Sequence, residues 1–410
     1  MGEEAPDRSR FMAWTRRLKR TDITLLVMIF ALSVGEGGAR FLAPVYLSDQ
    51  GNAVASIGLL LSTFGVAALA SRLVIVSIFR PSAVRWTIAL SGLASTTSVL
   101  LMTTTSSVPV FTVLIGIHGI GWGIISTVLL TLVLQGKGKR SAAAVIGFYI
   151  GVEGLGRAVA PAVAGILGGT LGAANGMRVH IFIYGAAVLV GVLVFRNADQ
   201  SEVAAERSDG PRRINLTRFR NAPLAAWVAM LTGFYLNTTN AVLNVFFPLL
   251  GLSLGFTLGQ IGLLAATRSA VSALIRFAAA GLFKVVPFRM LLVPLYVVNA
   301  VSTALIGTVA VYPIHFLLWV PNGASRGVLR VGTMAGAMED SGNDSTTATA
   351  ALIGAGHDAG RIAGPAIGGL VAAEIGLSAM MMVMPIFFLA VLLPVVLRAR
   401  THDADAAATP

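Results

Sequence analysis

GLGRAVAPAVAG occupies residues 154–165 and DAGRIAGPAIGG occupies residues 358–369. Each places an arginine fourth, Arg157 or Arg361, in a run of small and apolar residues, and follows it with Pro-Ala and a late glycine. Sliding the chain on itself by 204 residues aligns the two stretches without a gap. The same offset lays IGLL 57–60 on IGLL 261–264, Pro44 on Pro248, Gly51 on Gly255, Arg72 on Arg276, Phe79 on Phe283, Arg80 on Lys284 and Arg85 on Arg289. Glycine, alanine and leucine are too common here for their matches to weigh much. Matched arginines and prolines at one fixed offset are not, so the chain is an internal repeat.

The material of the repeat is membrane-like. Of 410 residues, 56% are hydrophobic and only 12% charged, half the roughly 25% typical of soluble domains, and the mean hydropathy is +0.81. The apolar residues come in blocks of about 20, the length that crosses a bilayer as a helix. Twelve such blocks lie near 23–45, 54–79, 86–105, 109–134, 143–169 and 179–195, then 223–250, 257–283, 290–310, 314–337, 347–371 and 376–397. The expected organisation is a cytoplasmic N-terminal segment 1–22, a six-helix bundle 23–196, a polar linker 197–222, a second six-helix bundle 223–398 and a tail 399–410. Corresponding spans run the same way, which makes the repeat parallel, with substrate expected at its interface near mid-bilayer.

A net charge of +12 raises the question of nucleic acid, and the placement of the charges answers against it. With an inner N-terminus, the inner segments hold 21 Lys and Arg and the outer loops hold only Arg178, as the positive-inside rule expects. Both termini are therefore expected in the cytoplasm, in a multi-pass protein of the inner (plasma) membrane. TRRLKR at 15–20 has a twin-arginine look, but the apolar run after it is too long for a signal and has no A-x-A-like cleavage site. Cysteine is absent, which removes disulfides, thiolate metal sites and cysteine nucleophiles.

Eight arginines remain inside the spans: Arg40, Arg72, Arg157, Arg268, Arg276, Arg326, Arg330 and Arg361. With them are Glu36, Glu153 and Asp358, and His118 and His357 at similar depth. An ionisable residue in a span costs about 2.5–3.5 kcal/mol on insertion scales and usually faces a cavity or a partner. Glu36 and Arg40, and Glu153 and Arg157, stand four residues apart on one helix face, so each pair either neutralises itself or serves transport. Arg72 and Arg276 sit toward the inner ends of their spans, where a snorkelling or latching role suffices. Arg268, Arg326 and Arg361 are nearer the centre with fewer local partners. In span seven, Asn237, Asn240 and Asn244 form one polar stripe that maps onto Ser33, Glu36 and Arg40 in span one. In span four, His118 and Trp122 map onto Asn322 and Arg326. Repeated stripes suggest a cavity; a lone buried His or Trp is otherwise packing.

Twelve spans as six plus six, with a central inner linker, resemble the major facilitator superfamily. The fifth-span motif G-x8-G-x3-G-P-x-x-G-G, which marks the antiporter branch of that family, is partly kept as Gly147, Gly156, Ala160, Pro161 and Gly165, with one glycine missing at Val163–Ala164. The eleventh span keeps Gly360, Gly364, Pro365, Gly368 and Gly369 and has Ala351 for the first glycine. The loop motif G-x-L-A-D-R-x-G-R-R is eroded to SIFRPSAVRW at 77–86 and GLFKVVPFRM at 281–290, without its aspartate. The resemblance implies an all-helical fold of two bundles and alternating access. For Gly156, Pro161, Gly165, Gly360, Gly364, Pro365 and Gly369, close helix packing and gating are compatible expectations.

No catalytic arrangement is present: QGKGKR at 135–140 lacks Walker spacing, and H-E-x-x-H and G-x-S-x-G do not occur. An excess of intramembrane arginine favours an anionic substrate, because guanidinium pairs with carboxylate and phosphate. The expected function is secondary transport without a cofactor, by a monomer, in the form of proton-coupled export of an organic anion or anionic amphiphile. The substrate side falls to Arg40, His118, Trp122, Arg157, Asn237, Asn240, Asn244, Arg268, Arg326 and Arg361, and the proton side to Glu36, Glu153 and Asp358. Open alternatives are uptake or facilitated flux of a small anion, multidrug efflux, and a non-transporting receptor or assembly partner.

Overall fold

A computed structural model describes residues 20–78, 83–134, 139–194, 222–341 and 346–408. The linker at 197–222 and the first 19 residues lie almost wholly or wholly outside these ranges. The described residues form twelve long helices: α1 Arg20–Asp49, α2 Val54–Ile78, α3 Val84–Met102, α4 Val108–Leu134, α5 Lys139–Leu171, α6 Ala173–Val194, α7 Leu224–Ser253, α8 Leu258–Val285, α9 Phe288–Ile306, α10 Tyr312–Glu339, α11 Thr346–Ile375 and α12 Leu377–Ala408. The last runs past the expected end of span twelve.

The 204-residue offset is visible in the backbone. α1 and α7 begin and end in register, as do α3 and α9, and every other pair shares its start or its end. Gly51 and Gly255 take φ of 77° and 85°, and Gly172 and Gly376 take 83° and 82°. These glycines sit in the tight α1–α2, α7–α8, α5–α6 and α11–α12 connections, where a Cβ would be strained. All four lie at the end of the bundle opposite the two chain termini, called here the far end.

Seven helices are long and apolar enough to cross a membrane on composition alone. The others fall short for physical reasons. α9 is short, and α3, α7, α10 and α11 spend positions on Ser, Thr, Asn, Arg or Gly that face neighbouring helices. Many apolar side chains on the outer faces are exposed, such as Leu73, Leu93, Leu193, Leu274, Leu317 and Phe387, as a lipid-facing surface requires.

Small residues set how closely the helices approach. Within the N-terminal half, α5 meets α1 at Gly156, where a Cβ would come 2.7 Å from the Cβ of Ser33. In the other half, α11 meets α7 at Gly360, against Phe234 and Asn237, the equivalent places. One turn on, the two halves differ by a trade. A Cβ at Gly37 would lie 2.8 Å from the Ala160 methyl, whereas a Cβ at Gly364 would lie 2.8 Å from the Ala241 methyl.

Between the halves, two matching contacts pin the far end. α2 crosses α11 at Gly58 and Gly369, where a Cβ at Gly369 would come 3.0 Å from the Cα of Gly58. α8 crosses α5 at Gly262 and Gly165, where the corresponding distance from Gly262 is 3.1 Å. Cβ atoms at Gly58 and Gly262 would strike the carbonyls of Pro365 and Pro161 respectively. Further along the first crossing, Ser62 Oγ donates to the Ile362 carbonyl at 2.8 Å.

Candidate functional site

A cavity of about 270 Å³ lies between the halves, lined from both. Its walls include Glu36, Arg40, His118, Glu153, Arg157, Asn237, Asn240, Asn244, Arg276, Arg326, Arg330 and Arg361, with Pro161 and Pro365 at the helix crossings. Phe64, Val99, Met102, Ile115 and Met177 supply an apolar wall on the N-terminal side. Six arginines and two carboxylates therefore line it.

Both carboxylates are committed. Arg40 Nη1 donates to Glu36 Oε1 at 3.0 Å, with the Glu36 side chain 1% exposed and that of Arg40 43% exposed. Arg157 Nη2 lies 2.7 Å from Glu153 Oε1. The i,i+4 spacing puts both partners of each pair on one helix face, and the tertiary fold turns that face inward. Arg40 also lies over the Phe64 ring at 4.8 Å, and Arg157 over Trp122 at 5.7 Å, as cation–π contacts do.

The third acid, Asp358, is shared between arginines of two halves: Arg72 Nη1 at 3.7 Å and Arg361 Nη1 at 3.9 Å. Arg72, read from sequence as a snorkelling or latching residue, thus makes an ion pair across the halves. Asp358 itself is not among the residues that line the cavity.

Arg268 and Trp122 are likewise not part of the lining. Arg268 is 2% exposed; its Nε donates to Asn322 Oδ1 at 2.6 Å and its Nη1 to Asn240 Oδ1 at 2.8 Å. Asn322 is in turn satisfied by Asn299, Ser302 and Thr303, so Arg268 is built into a polar network linking α7, α8, α9 and α10. Trp122 is buried below Arg157 and near Tyr184. His118 is 3% exposed, with Nδ1 2.6 Å from Ser95 Oγ and its ring against Phe64.

Two lining arginines were not on the expected substrate side. Arg330 is one helical turn from Arg326 on α10, and Arg276 lies two turns along α8 from Arg268. Arg326 has Arg268, Arg276, Arg330 and Arg157 as its strongest charged neighbours. The Nε atoms of Arg326 and Arg276 are buried without a hydrogen-bond partner. The spacing i,i+4 of Arg326 and Arg330 was the signal available in sequence.

Gly156, Gly165, Gly360, Gly364 and Gly369 are all at the close helix approaches described above. Their absent side chains let the cavity-bearing faces meet.

Twelve helices in two repeats around an arginine-rich central cavity define a multi-pass secondary transporter, not an enzyme. The chain belongs to the Major Facilitator Superfamily, whose family model matches residues 25–257. Among solved structures, the nucleoside transporter NupG superposes with a TM-score of 0.76 at 12% identity, covering 92% of this chain and 98% of that one. A bacterial homologue of the human lysosomal transporter Spinster, inward-facing and occupied, superposes with a TM-score of 0.74 at 15% identity, covering 97% and 98%. At these identities the likeness is one of fold. No curated protein matches the chain.

Proposed function

We propose that the chain is a proton-linked transporter of an organic anion or anionic amphiphile, in the plasma membrane with both ends in the cytoplasm. The observation that carries this reading is the lining of six arginines against two carboxylates, both already paired. Uncompensated guanidinium groups in a low-dielectric cavity favour a negatively charged ligand. A neutral ligand, such as a nucleoside, would leave them uncompensated.

Glu36 is the leading proton site and Glu153 the second. An anion that draws Arg40 or Arg157 away leaves a carboxylate without its partner, and such a group takes up a proton. Anion and proton then bind together, which favours uptake of the anion along the proton gradient. Export, suggested by the partial antiporter motif of the fifth and eleventh spans, is the second reading, and it requires the two to compete.

The test is flux in proteoliposomes under imposed pH gradients, with alkyl carboxylates, phosphate monoesters, nucleosides and quaternary amines compared. Anions moving in the direction of proton flow support uptake; anions moving against it support export. Preference for nucleosides or cations would overturn the anionic reading. Orientation is checked with Ser107→Cys, since the chain has no cysteine of its own: an impermeant reagent applied outside whole cells should label it, and protection would overturn the topology.

A further inference from the structure

The cavity is not uniformly basic. Its cations near α8 and α10 differ from those of the N-terminal half in making no ion pair among the described residues; Glu153, already held by Arg157, is the carboxylate that also acts on Arg330. Arg40 and Arg157 are neutralised by Glu36 and Glu153. Arg326 lies among Arg268, Arg276, Arg330 and Arg157, and Arg276 and Arg326 each bury an unpartnered Nε. A single negative charge brought here would leave at least two guanidinium groups of the Arg276, Arg326 and Arg330 trio uncompensated. A phosphate monoester brings close to two charges and three acceptor oxygens, which matches several planar donor forks at once.

Depth adds the rest of the ligand. Arg326 and Arg330 lie 14 and 18 residues into α10, and Arg276 lies 18 residues into α8, or roughly 21–27 Å from the far end at the helical rise. Met102 ends α3, Met177 is four residues into α6 and Ile115 is seven into α4, all within about 10 Å of that end. The basic trio and the apolar wall are therefore at different depths of one cavity, from roughly 10 Å apart along the bundle for Arg326 and Ile115 to roughly 27 Å for Arg330 and Met102. Its volume, about 270 Å³, is just below the roughly 300–1,000 Å³ of most ligand sites and suits one apolar group, not two acyl chains.

We propose that the cavity takes a phosphate monoester bearing a single apolar chain or ring, with the phosphate on Arg276, Arg326 and Arg330 and the apolar group against Met102, Ile115 and Met177. This rests on the anionic-substrate reading and narrows it to a headgroup and an orientation. The same chemistry is offered by a soluble alkyl or aryl phosphate and by a single-chain lysophospholipid acid.

The experiment measures equilibrium binding of methyl, butyl and octyl phosphate to the full chain in phosphatidylcholine nanodiscs, beside octanoate and octyltrimethylammonium. The expected result is tightening of roughly ten-fold for every two methylenes added, and octyl phosphate at least ten-fold tighter than octanoate. Arg326→Gln should remove that preference for phosphate over carboxylate while melting no lower than the parent, since it relieves repulsion between cations. Arg330→Gln is the second variant and should act the same way should Arg326→Gln fail to fold. Ile115→Asn should flatten the chain-length series and leave methyl phosphate binding unchanged. In a further arm, competition by lysophosphatidic acid placed in the nanodisc assigns the lipid source, and lack of competition the soluble one. Equal affinity for octanoate and octyl phosphate, or an unchanged preference in both arginine variants, overturns the headgroup assignment and leaves the anionic reading standing. Tighter binding of octyltrimethylammonium overturns both.

Discussion

The two halves solve one problem with the arginine on different helices. In the N-terminal half, Arg40 on α1 reaches Glu36 one turn away and lies over Phe64 of α2. In the C-terminal half, Phe64 is replaced by Arg268 on α8, which reaches Asn240, the counterpart of Glu36, and Asn244 stands where Arg40 would be. A guanidinium thus meets the same position in both repeats, but from opposite partners. The first is half in the cavity and ion-paired. The second is buried and held by two amides. One half therefore pairs a half-exposed cation with a carboxylate, while the other holds a buried cation on two amides. The repeat supplies geometry, and the asymmetry decides which half carries an ionisable acceptor.

The largest expected effect breaks this comparison at its rigid side. Arg268→Ala removes two charge-assisted hydrogen bonds from a buried site and strands Asn322 and Asn240, at about 1.5–3 kcal/mol for each such bond. Arg40→Ala strands a Glu36 carboxyl that is 1% exposed but can still be neutralised by a proton, so it should cost less, below the about 3–5 kcal/mol of an unrelieved buried charge. Thermal or denaturant unfolding of the solubilised protein distinguishes them; equal losses would mean that the two guanidinium groups are anchored alike.

Next come the glycine crossings, which should behave alike because they are symmetry mates. Gly58→Ala and Gly262→Ala each push a methyl into a proline carbonyl across the halves, an overpacking of about 1–3 kcal/mol. Both should raise the accessibility of single cysteines lining the cavity to reagents added from the far end. A change in only one variant would show that the two crossings are not equivalent.

Among the cavity arginines, Arg361 should matter more than Arg157 for holding an anion. Arg157 is held at 2.7 Å by Glu153, whereas the nearest acid to Arg361, Asp358, is 3.9 Å away and shared with Arg72. Arg361→Ala should weaken anion binding ten- to hundred-fold, about 1.5–3 kcal/mol, Arg157→Ala less, and Arg361→Lys should rescue partly because it keeps charge but loses the planar fork. Unchanged affinity in both alanine variants would assign these arginines to packing or gating. The smallest structural change should have the most selective effect. Glu36→Gln keeps an acceptor for Arg40 and should leave folding intact while removing the pH-gradient dependence of flux. Persistent coupling would leave Glu36 as only a salt-bridge partner.

The fold was legible because a membrane helix announces itself by length and apolarity, and because the 204-residue offset survives in residues as specific as Arg72, Arg276, Pro44 and Pro248. The i,i+4 pairs on α1 and α5 were legible for the same reason: their partners are local. What sequence spacing could not show was any partner on another helix. Arg268 was grouped with lone central arginines, yet its acceptors lie 28 and 54 residues away. Arg72 was assigned to the inner surface, yet its acid is on α11. Trp122 shared a stripe with His118, but stripe membership fixes a helix face and not whether that face meets the cavity or the core. Arg276 went the other way, since nothing local distinguishes a snorkelling arginine from one turned into a cavity, whereas Arg330 carried a local signal in its i,i+4 spacing from Arg326.

The traded methyl of Gly37–Ala160 and Ala241–Gly364 bears on how a family motif is read. Along α5 alone, Ala160 counts as a lapse from the expected glycine. Across the helix pair nothing is missing, because the glycine has moved to the opposite wall of the same contact. What the two crossings share is their combined volume, one methyl between two backbones, and either wall can supply it. A motif written for one helix will undervalue such chains, whereas one written over facing pairs would score both halves of this protein alike.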